Sequence, residues 1–290
     1  MSLIQKTRKL KFGICCFCGG KVKFDQRVHK ECLEKFKDGQ NKILSLSKNL
    51  LEQDFTAHFF DNHIKQIEKS NFINADEKKA LLIQCWENTV DTALEQGYTP
   101  KKIEDNLSSF AEHFDLTQDD LNCNNKFCSL IKGIVLRKLS EGIIPDNLKV
   151  EVTLPFNFLK DEKIIWVFQN VEYLQIRQKT RYEGNSIGGG VKIVEGLYLR
   201  QSYFNSFPVS YPSLEYIDTG VLVITDRHIY FGCSSFKNFR IKYDKIVSFM
   251  PYSDAIGIQR DAMTAHPQIF KLEDGWFAYN LLMGIVKLHH

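Results

Sequence analysis

The 290-residue chain contains no run of 18 apolar residues. The longest apolar stretch, Ile164-Ile165-Trp166-Val167-Phe168, is far too short to cross a bilayer. Residues 1–13 are basic, yet they lack the apolar core and small-residue cleavage site of a secretory signal. Export, and with it a disulfide framework, is therefore not expected, and the expectation is a cytoplasmic protein. Charge of one sign is not in excess, with 38 Lys and Arg against 35 Asp and Glu, which excludes a uniformly basic nucleic-acid protein. No collagen-like repeat occurs. A content of 43 % hydrophobic and 25 % charged residues is that of a folded globular chain rather than a disordered one. The length suits one large domain or two to three ordinary ones. The closing His289-His290 pair, native or the remnant of a tag, is given no role.

The balanced total hides an uneven distribution. Residues 1–48 carry twelve basic side chains against four acidic ones, a net of +8. Residues 49–146 carry ten against seventeen, a net of −7, and residues 147–290 a net of +2. The breaks coincide with changes of pattern: a Cys/Gly-rich head, a stretch of helical periodicity, then β-branched and aromatic sequence. Three modules are expected, over residues 1–45, 46–147 and 148–290. A basic head is either a plain solvated surface or a surface for something acidic. Nucleic acid, a membrane or the chain's own acidic middle would each qualify. Lys21, Lys23, Arg27, Lys30 and Lys35 are the residues that would carry nucleic-acid binding.

Four of the eight cysteines fall in the first 32 residues. Clustered cysteines in a chain without an export signal read first as metal ligands. Cys15-Cys16-Phe17-Cys18-Gly19-Gly20 holds a Cys-x2-Cys pair followed by two glycines, a knuckle in which glycine supplies the positive φ of the turn. Ten residues on, after room for a small hairpin through Lys21–Phe24 and Arg27-Val28, comes His29-Lys30-Glu31-Cys32 at the start of a helical pattern. Cys15, Cys18, His29 and Cys32 form the expected ligand set, with Cys16 left free. Knuckle, hairpin and a ligand pair at a helix start resemble a treble-clef zinc finger over about residues 13–45. Four protein ligands leave no open position for water, so the expected Zn2+ is structural.

The middle reads as helices. Ile43, Leu46, Leu50, Leu51, Phe55 and Phe59 continue one helical pattern from Cys32 to about Ser70, with a bend expected near Phe59–His63. Asn74 is the expected N-cap of a second helix, running to Gly97. Thr99-Pro100 opens a third with Pro at its first position. Thr117-Gln118-Asp119-Asp120 opens a fourth that ends near Gly142. Short connections make this an antiparallel helical bundle. It is loosely similar to the small helical domains of the tellurite-resistance B type.

From Val150 onward the pattern turns to strands, expected at 164–168, 172–178, 191–201, 219–225, 228–233, 238–242, 246–250, 256–260 and 267–272. Asp226-Arg227 forms a two-residue hairpin, and Trp276–Leu288 a closing amphipathic helix. Gly184-Asn185-Ser186-Ile187-Gly188-Gly189-Gly190 reads as a hairpin tip, since no lysine and helix follow to make it a phosphate loop. Leu159–Ile165, Thr219–Phe231 and Phe239–Phe249 follow the GRAM pattern: an acid-led opening, a Gly-x-Leu-x-Ile-Thr hairpin and a hydrophobic-basic strand. The match covers about residues 155–288 and is interrupted by a long insertion, Gln178–Asp218. The chain thus resembles bacterial GRAM/PH-like proteins. The resemblance implies a PH-like β-barrel with a capping helix that binds a lipid headgroup or a protein. Around the insertion, Arg177, Lys179, Arg181, Lys192 and Arg200 are candidate contacts to an anionic partner.

No Gly-x-Ser-x-Gly elbow occurs, and the clustered thiols are better suited to metal. Asp254, Arg260, Asp261 and His266 make the most polar stretch within the β-rich half, where an ion pair pinning a turn is favoured over a catalytic site. The expected whole is an α+β multidomain, non-enzymatic binding protein: zinc finger, helical bundle, PH-like (GRAM-like) domain. Its partner would be a protein or an anionic membrane surface, or nucleic acid at the basic head.

Overall fold

The computed structural model describes residues 7, 8, 10–52, 54–95, 100–145, 154–194, 197–234, 237–261 and 266–289, with side chains for all of these except 178, 180 and 182–210. They fall into two compact units, Met1–Glu141 and Gly142–His290. Described elements in the first are helical, and those in the second are strands followed by a helix, a mixed α+β composition as expected.

In the first unit, α1 spans Lys30–Ser45 and buries Phe36, Gly39 and Ile43, spaced by three and four along one face. A Cβ on Gly39 would stand 2.4 Å from Cβ of Asn71, so only glycine allows the next helix this close. That helix, α2 (Ala57–Asn71), donates from the Asn71 amide back to the Lys35 carbonyl at 2.6 Å. Phe72, with φ of 57°, turns the chain out of α2. Helix α3 (Ala75–Leu94) then begins on the expected cap, in a reciprocal box between Asn74 and Glu77. Phe36 and Ile43 of α1 share one core with Leu81, Trp86 and Val90 of α3. The helix that starts at the cysteine head is therefore also part of the helical core.

Three expectations for the helices need correction. The break between α1 and α2 is not at Phe59–His63, which lie within α2, but at Leu46–Leu51, a 3-10 segment. The reason is a tertiary one: the amide of Asn106, in α4 (Lys101–His113), donates to the carbonyls of Leu50 and Glu52 at 2.9 Å each. Those donations hold the connection out of helical geometry. Helix α4 itself has Pro100 as its N-cap and so starts one position later than expected, and Thr99 lies outside the described residues. Thr117 does cap a helix in a box with Asp120, but that helix, α5, stops after Gln118–Leu121. Asn125 takes a φ of 58° before α6 (Lys126–Ser140) begins. The Asn122 carbonyl oxygen of the side chain accepts from the Cys128 N–H, which occupies the gap.

The second unit holds seven strands: β1 (Ile164–Val194), β2 (Leu197–Thr225), β3 (His228–Cys233), β4 (Phe239–Lys242), β5 (Ile246–Pro251), β6 (Ala255–Arg260) and β7 (Gln268–Lys271). All neighbours are antiparallel, in the order β4-β3-β2-β1-β7-β6-β5. Among the described residues no ladder joins β4 to β5, so the hydrogen-bonded sheet is open there. The two-residue hairpin at Asp226-Arg227 is as expected. The expected separate strands at 172–178 and 191–201 are parts of two very long ones, and Gly184–Gly190 is not a hairpin tip. Those residues sit within β1, paired with Ser206 back to Arg200 in β2. From Ile176 outward β1 and β2 pair only with each other, which leaves the outer edges free to accept Pro208 and Pro212 without losing a ladder bond.

Helix α7 (Gly275–Leu288) packs on β5 and β6 and is capped by Asp274, whose carboxylate accepts from the Phe277 N–H at 2.9 Å. Gly275 is required: a Cβ would lie 2.1 Å from the Tyr252 carbonyl. Entry to β1 is organised by Glu162. Its carboxylate accepts from the Leu159 N–H, the Thr225 hydroxyl, Nδ1 of His228 and the Tyr230 hydroxyl. Replacing Asn106 with alanine should strand the buried Leu50 carbonyl, free that of Glu52 and cost about 2 kcal/mol, lowering the urea midpoint. An unchanged midpoint would contradict this account of the α1–α2 connection.

Candidate metal centre

Local sequence positions all four donors. Gly19, at φ of 72°, closes the knuckle, in which the Gly19 N–H donates to the Cys15 carbonyl and the Cys15 N–H to the Gly20 carbonyl. The expected hairpin is smaller than drawn from the sequence. It consists of one bridge, Ile14 with Lys21, and single bonds from Gly13 N–H to Gln26 and from Cys16 N–H to Arg27. These hold the knuckle against the segment that leads to α1. His29 is the N-cap residue of α1, and Cys32 lies in its first turn. The helix start therefore presents a nitrogen and a sulfur to the two knuckle sulfurs.

The ligand atoms of Cys15, Cys18, His29 and Cys32 all lie within 4.8 Å of one another. His29 Nδ1 is 3.3 Å from Cys18 Sγ and 3.9 Å from Cys32 Sγ. A tetrahedral zinc site with ordinary bond lengths has edges of about 3.5–3.8 Å, so the set is close to that size. The other ring nitrogen, Nε2, is 3.1 Å from the Lys21 carbonyl. Donation there places the proton on Nε2 and leaves the Nδ1 lone pair facing the sulfurs, the tautomer a histidine needs to ligate through Nδ1. Gly20 makes room, since a Cβ would press on the His29 ring at 3.2 Å and on Cys18 Sγ at 3.4 Å. None of the cysteines is in a disulfide.

The thiols resist sharing negative charge. Burial pushes Cys15 up, but backbone N–H groups of Cys18, His29 and Phe17 outweigh it and bring the thiol down to about 6. Cys32 is pushed up to about 12, first by burial and then by hydrogen bonds and charge from Cys18 and Cys15. One thiolate is welcome and further ones beside it are not, unless a cation stands among them. Cys16 is outside the group, as expected; burial raises its thiol.

One further contact anchors the centre. Arg8 Nε and Nη2 donate to the two carboxylate oxygens of Glu77 at 2.6 and 2.7 Å. Its Nη1 donates to the Cys16 carbonyl at 3.0 Å and its Nη2 also to the Phe72 carbonyl. The guanidinium lies over the Phe17 ring, 4.5 Å from the centroid. Glu77 is fully buried and takes the Asn74 N–H and the Thr7 hydroxyl as well. Here a residue of the basic head meets the acidic middle of the same chain. Asn74 was visible as the cap of this helix; Arg8 had no local signal, because its partner Glu77 is 69 positions away.

Other candidates are less gathered. Lys21, Lys23, Arg27, Lys30 and Lys35 are all exposed. Lys30 and Lys35 are five apart in α1, about 140° around the helix, and so do not share a face. Arg27 lies 4.3 Å from the centroid of Phe12, which stacks with Phe24 at 6.2 Å. That exposed aromatic pair was missed from sequence. Arg177, Lys179 and Arg181 alternate along β1, exposed, with Arg177 paired to Glu215 at 3.3 Å. The side chains of Lys192 and Arg200 lie outside the described residues; at strand rise Lys192 is about 50 Å along β1 from Arg177. Asp254 lies at one end of β6 and Arg260 and Asp261 at the other, about 20 Å away, so Asp254, Arg260, Asp261 and His266 do not gather into one site. Neither a protein-family profile nor a curated protein matches the chain.

Burial raises the Glu77 carboxyl, but Arg8, the Asn74 N–H and the Thr7 hydroxyl outweigh it and hold it below its ordinary value. Its contribution to stability is therefore complete above the unfolded value of about 4.3 and is lost as pH falls through the lower folded value. Glu77→Gln should destabilise the first unit by about 3 kcal/mol at neutral pH, with the gap from wild type narrowing in acid below about pH 4. Urea titrations at the two pH values check this, and a gap that widens in acid would refute it.

Proposed function

We propose that the chain is a non-enzymatic, cytoplasmic binding protein with one structural zinc ion and a PH-like recognition domain. The observation that carries the zinc reading is the convergence of Cys15, Cys18, His29 and Cys32, with the His29 tautomer set by Lys21. Four protein donors complete a tetrahedron and leave no site for a reacting water. Knuckle, bridge and helix start are consistent with a treble clef. Among the described residues no helix is long and apolar enough to cross a membrane.

The PH-like (GRAM-like) reading of the second unit is supported by the strand order β4-β3-β2-β1-β7-β6-β5 with one helix after β7. Its partner would be a protein or an anionic membrane surface, met by the basic face of β1 at Arg177, Lys179 and Arg181. Purified protein should contain about one equivalent of zinc, and Cys18→Ser or a strong chelator should remove it and unfold the head. Less than about half an equivalent would sink the assignment. Zinc-loaded protein should pellet with vesicles containing phosphatidylserine and be released by salt or by Lys179→Glu with Arg181→Glu. Equal pelleting with neutral vesicles, or none, would remove the membrane arm.

A second reading, nucleic-acid binding by the head, is favoured by one observation. Phe12 and Phe24 are 58 % and 86 % exposed, stacked on each other beside Arg27. Aromatic rings next to cations suit unpaired bases, each stack contributing about 1–3 kcal/mol. Oligothymidylate should bind at low salt and lose about tenfold in affinity on Phe24→Ala. Absence of binding at low salt would discard this reading.

A further inference from the structure

Beyond Gln175 the β1–β2 ribbon has no third strand among the described residues. The ladder of β7 with β1 stops at Gln268, opposite Gln175, and the residue before it, Pro267, has no N–H with which to continue. From Ile176 to its end at Val194, about 60 Å at strand rise, β1 pairs with β2 alone. Two strands by themselves are marginally stable in water, and an open edge is a template for another strand.

The two edges of the ribbon differ. Pro208 and Pro212 of β2 stand opposite Tyr182 and Gln178. Proline cannot donate into a ladder, so at these pairs the backbone groups point away from the facing strand. The edge of β2 therefore lacks two outward donors. The edge of β1 lacks none: at Ile176, Gln178 and every second residue to Gly190, an N–H and a carbonyl point outward. Charged side chains also guard strand edges, yet residues 184–191 include no charge and no proline. Thus β1 is the edge left open to pairing.

This strand fits a second copy of itself. Antiparallel pairing over the whole free stretch puts a two-fold axis at its midpoint, Asn185. Arg177, Lys179 and Arg181 then stand opposite Ile193, Val191 and Gly189 of the partner subunit, so no like charges are opposed. Sliding the axis toward Lys179 would set these cations against one another. The full register also places Val194 of the partner subunit opposite Ile176, where a cavity of about 560 Å³ opens. Its lining is Leu174, Ile176, Pro212, Leu214 and Ile269, with a tyrosine, an alanine and three charged residues. Residues 191–199, around the β1–β2 turn, carry only Lys192 and Glu195 as charges among Val, Ile, Gly, Leu and Tyr. A largely apolar turn from one copy thus arrives at a largely apolar recess in the other.

We propose that two copies of the chain pair antiparallel along β1, forming a four-stranded sheet in the order β2-β1-β1-β2 about a two-fold axis near Asn185. The β2 edges with their prolines then lie outermost, which closes the assembly at two copies. Because the axis is perpendicular to the sheet, the basic faces of both copies lie on one side. Pairing uses the edge and leaves that face open, so the membrane reading above can fail without this one, and this one without it.

Sedimentation of the full zinc-loaded chain should give a mass that rises with concentration to twice 33.7 kDa and no further. Amides of β1 beyond Ile176 should exchange with deuterium more slowly as the dimer forms. Gly189→Lys sets a cation opposite Arg181 of the partner subunit at two equivalent places and should weaken dimerisation about tenfold. Adding Arg181→Glu in the same chain should restore it, a rescue that a folding defect would not show. Thr180→Pro with Ser186→Pro, at outward positions whose N–H the ribbon's own ladder does not use, should give a monomer with unchanged zinc content. A chain that stays monomeric at every concentration, or a species larger than a dimer, would overturn the proposal. So would a dimer insensitive to the proline pair, or a Gly189→Lys loss that Arg181→Glu does not restore.

Discussion

Glu77 and Glu162 have side chains wholly removed from water, and each must therefore be surrounded by donors within the protein. Glu77 takes them from Arg8, Thr7 and the Asn74 N–H; Glu162 from Thr225, His228, Tyr230 and the Leu159 N–H. In both cases the donors come from segments far apart in the chain, so satisfying one carboxylate brings distant parts together. In the first unit the same guanidinium that neutralises Glu77 also binds the Cys16 carbonyl, which ties the knuckle to the start of α3. In the second, Glu162 joins the approach to β1 to both strands of the following hairpin. Losing one partner of such a pair leaves a buried charge without compensation, which costs far more than a surface contact would.

The two carboxylates differ in what they leave over. Around Glu77 every strong donor is turned inward, and the arrangement supports the metal centre without adding any chemistry of its own. Around Glu162 the donors include an imidazole, which has a second nitrogen to offer. The carboxylate fixes the ring, whose other nitrogen is buried without a hydrogen-bond partner. The metal centre follows a related logic, since the lowered Cys15 thiol stands beside Cys32, whose thiol its neighbours push up, and a cation among them would relieve that.

Much of this could be read in the chain because it depends on neighbours. Cys15, Cys18, His29 and Cys32 lie within eighteen residues, and the glycine turn and helix start that aim them are local too. The Asn74–Glu77 and Thr117–Asp120 caps, the Asp226-Arg227 hairpin and the closing helix are all settled within a few positions. Reading failed where a distant group competes with local preference. Phe59–His63 suggested a bend, yet the connection breaks earlier because Asn106 claims two carbonyls there. Gly184–Gly190 suggested a turn, yet each residue finds a ladder partner on β2. Glycine permits a turn without requiring one, and pairing with the facing strand decides.

Sequence by itself determined the four donors of the candidate metal centre, the helical and β-rich halves, and the caps that begin α3 and α5, all effects within one or two turns of chain. Tertiary structure alone decided that Arg8 meets Glu77, that β1 and β2 run as one long ribbon, and that His228 is held against Glu162. The physical reason is common to all three: a buried charge, an unpaired strand edge and a fixed imidazole are satisfied by whichever group the fold brings near, and nothing in a local window names that group.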